Sequence, residues 1–188
     1  MADRPSLEDA LAIVEAAIDD PREGLPLEVF QFMTRITPSV NVDLLIRDPD
    51  GRTLLAWRSD KWAGTGWHIP GGILRYKETL ETRLAEVVRI EIGRPLRIRE
   101  APIAIAQISK KHQTRGHFVS VLYECLSDEK FEPDNGEKRR SDAGFLAWHE
   151  TCPSNLIESH DVVYRQYIET QSFEDFSGAI PHFYLGDL

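Results

Sequence analysis

The alternation of apolar and polar positions reads as helices at both ends of a run of strands. Ser6, with Asp9 three residues on, predicts a capped helix through about residue 19, and Pro26 opens a second short helix to about 36. Apolar runs bounded by turn residues predict strands at 40–47 and 53–58, joined by Asp48-Pro49-Asp50-Gly51. Residues 79–92 hold neither Gly nor Pro and place Leu80, Leu84, Val87, Val88 and Ile92 along one face, the pattern of an amphipathic helix. Strands follow near 102–108, 117–126 and 144–148. Asn155, with Glu158 three residues on, caps a last helix to about 169. The long charged loop 128–141 is expected to be a mobile segment bordering a site.

The most informative stretch runs from Gly66 to Gly93, GWHIPGGILRYKETLETRLAEVVRIEIG, which joins a strand, a Gly-Gly turn and the amphipathic helix. It resembles a Nudix box: Gly72, Glu78, Glu91 and Gly93 fall on that frame without an insertion. The positions that hold Arg, Glu and the first Glu of the Glu-Glu pair in the usual box hold Glu86, Val87 and Ile90 here. On a helix, positions 87, 90 and 91 are neighbours, so three carboxylates there would converge on a cluster of divalent ions. Only Glu91 remains of the three. A hard cation held by oxygen ligands keeps several waters, so Glu91 with the Gly72 carbonyl can form part of a site for one ion. The resemblance also pairs Glu78 with the Arg that Glu86 replaces, leaving Arg75, Arg83 or Arg89 to compensate.

The pattern is most similar to the GDP-mannose mannosyl hydrolase branch of that superfamily, whose box also lacks the extra glutamates. The similarity extends upstream over VNVDLLIRDPDGRTLLAWR at 40–58. It implies an α/β fold, an α/β/α sandwich around a mixed β-sheet, and attack at the sugar's anomeric carbon rather than at phosphorus. By the same resemblance Asp43 contacts the sugar and Arg58 helps the nucleoside diphosphate leave. Counting back six residues from Trp148 puts a side-chain metal ligand at Asp142, to join Gly72 and Glu91 around Mg2+, with Mn2+ as the alternative. His117 matches a strand histidine of those enzymes, although Phe118 stands where they have Tyr. Their general base falls on Ala143, and two substrate-binding arginines fall on Ile73 and Glu86. The base is therefore unassigned, with His117, His112 and Asp142 as candidates, and a homodimer is implied by resemblance alone.

Each of these residues also has an ordinary structural role open to it. Asp43 sits in an apolar strand, where an unpaired carboxylate is too costly to bury, so it needs a partner or a ligand. Arg58 at a strand end can be a surface ion pair, Asp142 an ordinary loop acid, Glu91 a solvated helix residue and His117 a satisfied strand histidine.

Composition narrows the partners. At 188 residues the chain has the length of one domain, divided here as a helical extension at 1–38, a core at 39–170 and an aromatic-rich tail at 171–188. A net charge of -9 argues against a nucleic-acid backbone as partner. Yet Arg58, Lys61, Arg75, Lys77, Lys110, Lys111 and Arg115 fall near the box, as a diphosphate site in an acidic protein requires, and Arg75 joins Arg58 and Asp43 as an expected substrate contact. Cys125 and Cys152 have the spacing of neither a metal knuckle nor a redox pair, and the first residues lack a signal-peptide pattern; both point to the cytoplasm. No segment reaches the roughly 20 apolar residues that span a bilayer, so no membrane partner is expected. The expected activity is hydrolysis of a nucleotide sugar. Two readings stand beside it: a pyrophosphatase attacking phosphorus of nucleoside diphosphate derivatives, and a non-catalytic nucleotide-binding module.

Overall fold

The computed structural model describes residues 5–111 and 114–185. Its centre is β1 (Ser39–Arg47), whose run Val42–Ile46 is apolar except for Asp43 and buried throughout. A strand buried on both faces must have elements covering both. β1 pairs in parallel with β7 (His117–Leu126) and antiparallel with β2 (Thr53–Asp60) and β4 (Gly71–Ile73). The sheet runs β3 (Gly64–His68), β2, β1, β7, β6 (Ala104–Lys110), β9 (His182–Leu185), with short β5 (Arg97–Ile98) on β7 and β8 (Leu146–His149) on β2. Parallel and antiparallel pairs share one sheet, as expected of the mixed α/β fold.

Two helices cover that sheet. On one face α3 (Leu80–Val87) sets Leu84 and Val87 against Val42, Leu44, Ile46, Val121 and Tyr123. On the other, α4 (Glu158–Glu169) sets Val163, Tyr164 and Ile168 against Leu45, Leu122 and Ile69. The buried Arg47 fastens the end of α4: its guanidinium donates to the carbonyls of Tyr167 at 2.8 Å, Ile168 at 3.2 Å and Thr170 at 2.5 Å, groups that a helix end leaves without partners. The β1–β2 turn forms at 48–51 as expected, with the Asp48 side chain accepting from Asp50 and Arg52 N–H and Gly51 at φ +80.

At the N-terminus, α1 (Leu7–Ala16) begins with the expected capping box of Ser6 and Asp9, but ends three residues early and buries none of its residues. α2 (Leu27–Ile36) starts after Pro26. Three other expectations are corrected. The box helix does not stay α-helical to 92: Val88–Ile92 form a π-helical turn, closed by the Gly93 N–H donating to the Val88 carbonyl at 2.9 Å, with Gly93 at φ +70. Asn155 does not cap α4, because its carbonyl accepts the Trp67 N–H and Leu156 bridges to Trp67; the helix starts after Ile157. The loop 128–141 is pinned rather than loose, with Phe131 buried against Trp148 and the Asn135 amide clamping both backbone groups of Leu146. The tail at 171–188 contributes β9, which extends the sheet in parallel with β6.

Candidate active site

The edge of the sheet opens into a cleft of about 470 Å3 between the ends of β1, β2 and β3, the Gly-Gly turn, α4 and the N-terminal segment. Its floor holds Asp43. The carboxylate is buried, and its Oδ2 accepts from the Tyr164 hydroxyl at 2.6 Å and from Ser120. Both donors arise from the fold, since Ser120 sits two residues from Leu122, the register partner of Asp43 on β7, and Tyr164 lies on the face of α4 that meets the sheet. Burial pushes the Asp43 carboxyl above its usual range, against the lowering by Ser120, Tyr164 and Arg58. Burial and the Asp43 charge raise Tyr164 well above its usual value, so it stays protonated as a donor. Oδ1 faces the Gly-Gly turn: a Cβ at Gly71 would stand 2.2 Å from it and 2.6 Å from the Val42 carbonyl, so only glycine fits this approach.

Besides Arg83, four cations line the same cleft. Arg58 lies two residues before the end of β2 and is held by Asp60 at 2.5 Å. Arg75 follows the Gly-Gly turn and donates to the Arg22 carbonyl at 3.2 Å, fixing the N-terminal segment across the opening. Lys110 bonds Ser159 at 3.0 Å, and Arg115 lies over the Phe30 ring at 5.4 Å. The other three cations expected near a diphosphate do not line it. Lys61 and Lys77 rest on the rings of Trp62 and Tyr76, and the Lys111 N–H bonds Leu185 at the end of β9.

Under the turn, Arg83 supplies the missing partner of Glu78, with two bonds of 2.8 and 2.7 Å, while the Arg75 N–H adds a third at 2.9 Å. Arg89 instead pairs with Glu86. Arg83 and Val87 press against Gly72, where a Cβ would meet them at 3.2 and 2.9 Å.

Glu91, on the π turn, is exposed and not among the residues that line the cleft, but its carboxylate reaches the Gly71 N–H of the Gly-Gly turn. Burial and the neighbouring Asp43 charge raise it to about 7, opposed by Arg58 and the Gly71 N–H. Asp43 and Glu91 thus repel each other. The cleft-lining Asn41 adds a buried Oδ1 with no hydrogen-bond partner. These donors are hard oxygens, and with the Gly72 carbonyl they suit one Mg2+ or Mn2+ that keeps waters. No group of three or more His, Cys, Asp or Glu able to hold a metal occurs among the described residues.

Asp142 and His117 stand apart. Asp142 lies outside the cleft lining, on a turn where it accepts the Arg139 N–H at 2.9 Å and pairs with that guanidinium. The 139–145 turn folds back on Trp57, whose carbonyl accepts the Gly144 N–H. His117 bonds Gln107 at 2.8 Å and stacks on His182, also outside the lining, whereas its neighbour Phe118 lines the cleft. His112 lies outside the described residues.

Sequence reasoning missed two histidines that do line the cleft, His68 and His160. The signal for the first was its place in the box, two residues before Pro70 at the end of a strand. His160 carried none, because a histidine in the first turn of a helix has no pattern of its own.

Comparison with known proteins agrees with the fold. A family model described as NUDIX domain matches residues 37–169. The MutT-like protein of Streptomyces ambofaciens is 30% identical over 145 residues, covering 77% of this chain and 80% of that one. The low-salt glycan biosynthesis protein Agl8 of Haloferax volcanii is 28% identical over 121 residues, covering 62% and 77%. A NUDIX hydrolase structure from Nitrosomonas europaea has the same fold, with a TM-score of 0.55 at 20% identity over 79% of this chain and 80% of that one.

Proposed function

Because the chain belongs to the NUDIX domain family, we propose that its cleft hydrolyses a nucleoside diphosphate sugar with one divalent ion, releasing free sugar and intact nucleoside diphosphate. The observation that carries this reading is the convergence of Arg58, Arg75, Lys110 and Arg115 on one cleft of a chain whose net charge is -9. Such a field recruits a diphosphate and stabilises it as a leaving group.

Each residue then has a role. Arg58 leaves Asp60 to meet the oxygen on which negative charge develops, and Arg75 holds the other phosphate. Asp43, fixed through Oδ2, offers Oδ1 to the sugar and to positive charge growing at its anomeric carbon. Glu91, Asn41 and the Gly72 carbonyl would hold the metal, which when bound neutralises diphosphate charge. Asp142 is left to Arg139 and His117 to Gln107. The name of the Haloferax relative, a glycan biosynthesis protein, supports a sugar-bearing substrate.

The test is turnover of a panel of nucleoside diphosphate sugars headed by GDP-mannose, with Mg2+ or Mn2+, following free sugar and phosphate products separately. Free sugar with intact nucleoside diphosphate, lost in Arg58→Ala, supports the reading. Nucleoside monophosphate assigns the cleft to phosphorus attack, and tight nucleotide binding without turnover makes it a binding module.

A further inference from the structure

The unassigned base has a candidate pair held by the backbone groups of a single residue. The Nδ1 of His68 lies 2.9 Å from the Ile69 carbonyl, an atom that only accepts, so this nitrogen carries the proton and Nε2 keeps its lone pair. The Nδ1 of His160 accepts the Ile69 N–H at 3.1 Å, so in the neutral ring the proton of His160 sits on Nε2. One residue, Ile69, thereby fixes opposite tautomers on two imidazoles whose centroids are 5.6 Å apart. Among the described residues neither Nε2 has a hydrogen-bond partner, and neither is a buried polar atom that lacks one. Both are therefore open to the cleft that the two rings line with Arg58 and Asp43.

We propose that His68 is the general base of this cleft and that His160 is its neutral hydrogen-bond donor to a substrate oxygen, an assignment that rests on the hydrolase reading above. In the step, His68 Nε2 takes one proton from water as the water oxygen bonds the anomeric carbon. The carbon–oxygen bond to the diphosphate breaks with its electron pair going to the nucleoside diphosphate, and His68 later gives the proton to solvent. His160 Nε2–H bonds an oxygen of the substrate and transfers no proton.

Both rings are neutral in the free protein, as these roles require. Burial and Arg58 push His68 down to about 4, opposed by the Ile69 carbonyl and Asp60. Burial, His68, Arg58 and Lys110 hold His160 well below its usual value. When a diphosphate neutralises Arg58, part of the force depressing His68 disappears, and its basicity rises with substrate bound.

Two measurements test the assignment. Nitrogen NMR of the histidine-labelled protein at pH 7 is expected to show His68 protonated on Nδ1 and His160 on Nε2; the same tautomer on both, or an imidazolium on either, overturns it. With a nucleoside diphosphate sugar that the wild type hydrolyses, His68→Gln is expected to lower kcat on the order of 10²–10⁴-fold with little change in KM, and added imidazole to restore part of the rate. His160→Gln is expected to raise KM. Unchanged kcat in a folded His68→Gln that still binds the nucleoside diphosphate overturns the base while leaving the hydrolase reading intact, whereas a wild type inert to every substrate overturns both. If His68→Gln does not fold, His68→Asn takes its place under the same criteria.

Discussion

Cutting the Glu78–Arg83 pair tests how the Gly-Gly turn is built. The two side chains are 7% and 11% exposed and meet through two short bonds directly beneath Gly72. Removing one member of a buried pair leaves the other charge without a partner, at roughly 3–5 kcal/mol. Since a little of each side chain still reaches water, the lower end applies, and Glu78→Ala and Arg83→Ala should each lose about 3 kcal/mol. For a domain of this size that lowers Tm by about 6–12 °C. Because either substitution destroys the same interaction, the double variant should lose little more than one single variant. Urea denaturation across the double-mutant cycle measures the coupling. Arg83 holds the Glu78 carboxyl below its usual 4.5, so the pair's contribution is present above that pH and fades as pH falls beneath it. Single variants within about 0.5 kcal/mol of wild type, or losses that simply add, would refute the reasoning.

Other outcomes follow from the same geometry. Gly71→Ala should destabilise by about 1–3 kcal/mol through overpacking on Asp43 and the Val42 carbonyl, and weaken Mg2+ binding; an unchanged melting curve and affinity would show that the turn yields without cost. Glu91 is raised from 4.5 to about 7, so its contribution to stability is full below 4.5 and lost as pH rises through 7. Without metal, Glu91→Gln should therefore melt higher than wild type at pH 8, and Mg2+ should raise the wild-type Tm at pH 8 but not that of the variant. His68 is lowered from 6.5 to about 4, so its contribution is full above 6.5 and lost as pH falls to about 4; the stability difference between wild type and His68→Gln should shrink across that window.

Much of the fold was legible in the sequence because the signals were local. The capping box at Ser6, the Asp48–Gly51 turn and the long apolar strands each state their structure within a few residues. The π turn at Val88–Ile92 was not legible, since the apolar spacing there also suits an α-helix. Nor was the capping of α4, where a bridge to Trp67, far away in sequence, took the Asn155 carbonyl. In the site, the need of a buried Asp43 for partners was readable, but Ser120 and Tyr164 come from distant elements. Counting along a loop could not show that the Asp142 turn bonds to Trp57 through Gly144. His68 lay inside the most informative segment, yet its role depends on a tautomer set by a backbone carbonyl.

The central claim is that water attacks the sugar carbon and the nucleoside diphosphate leaves whole. Hydrolysis of GDP-mannose, or of whichever nucleotide sugar the panel selects, in water labelled with heavy oxygen tests it by mass analysis of both products. The account predicts label in the free sugar and none in the nucleoside diphosphate; label in a phosphate product would contradict it.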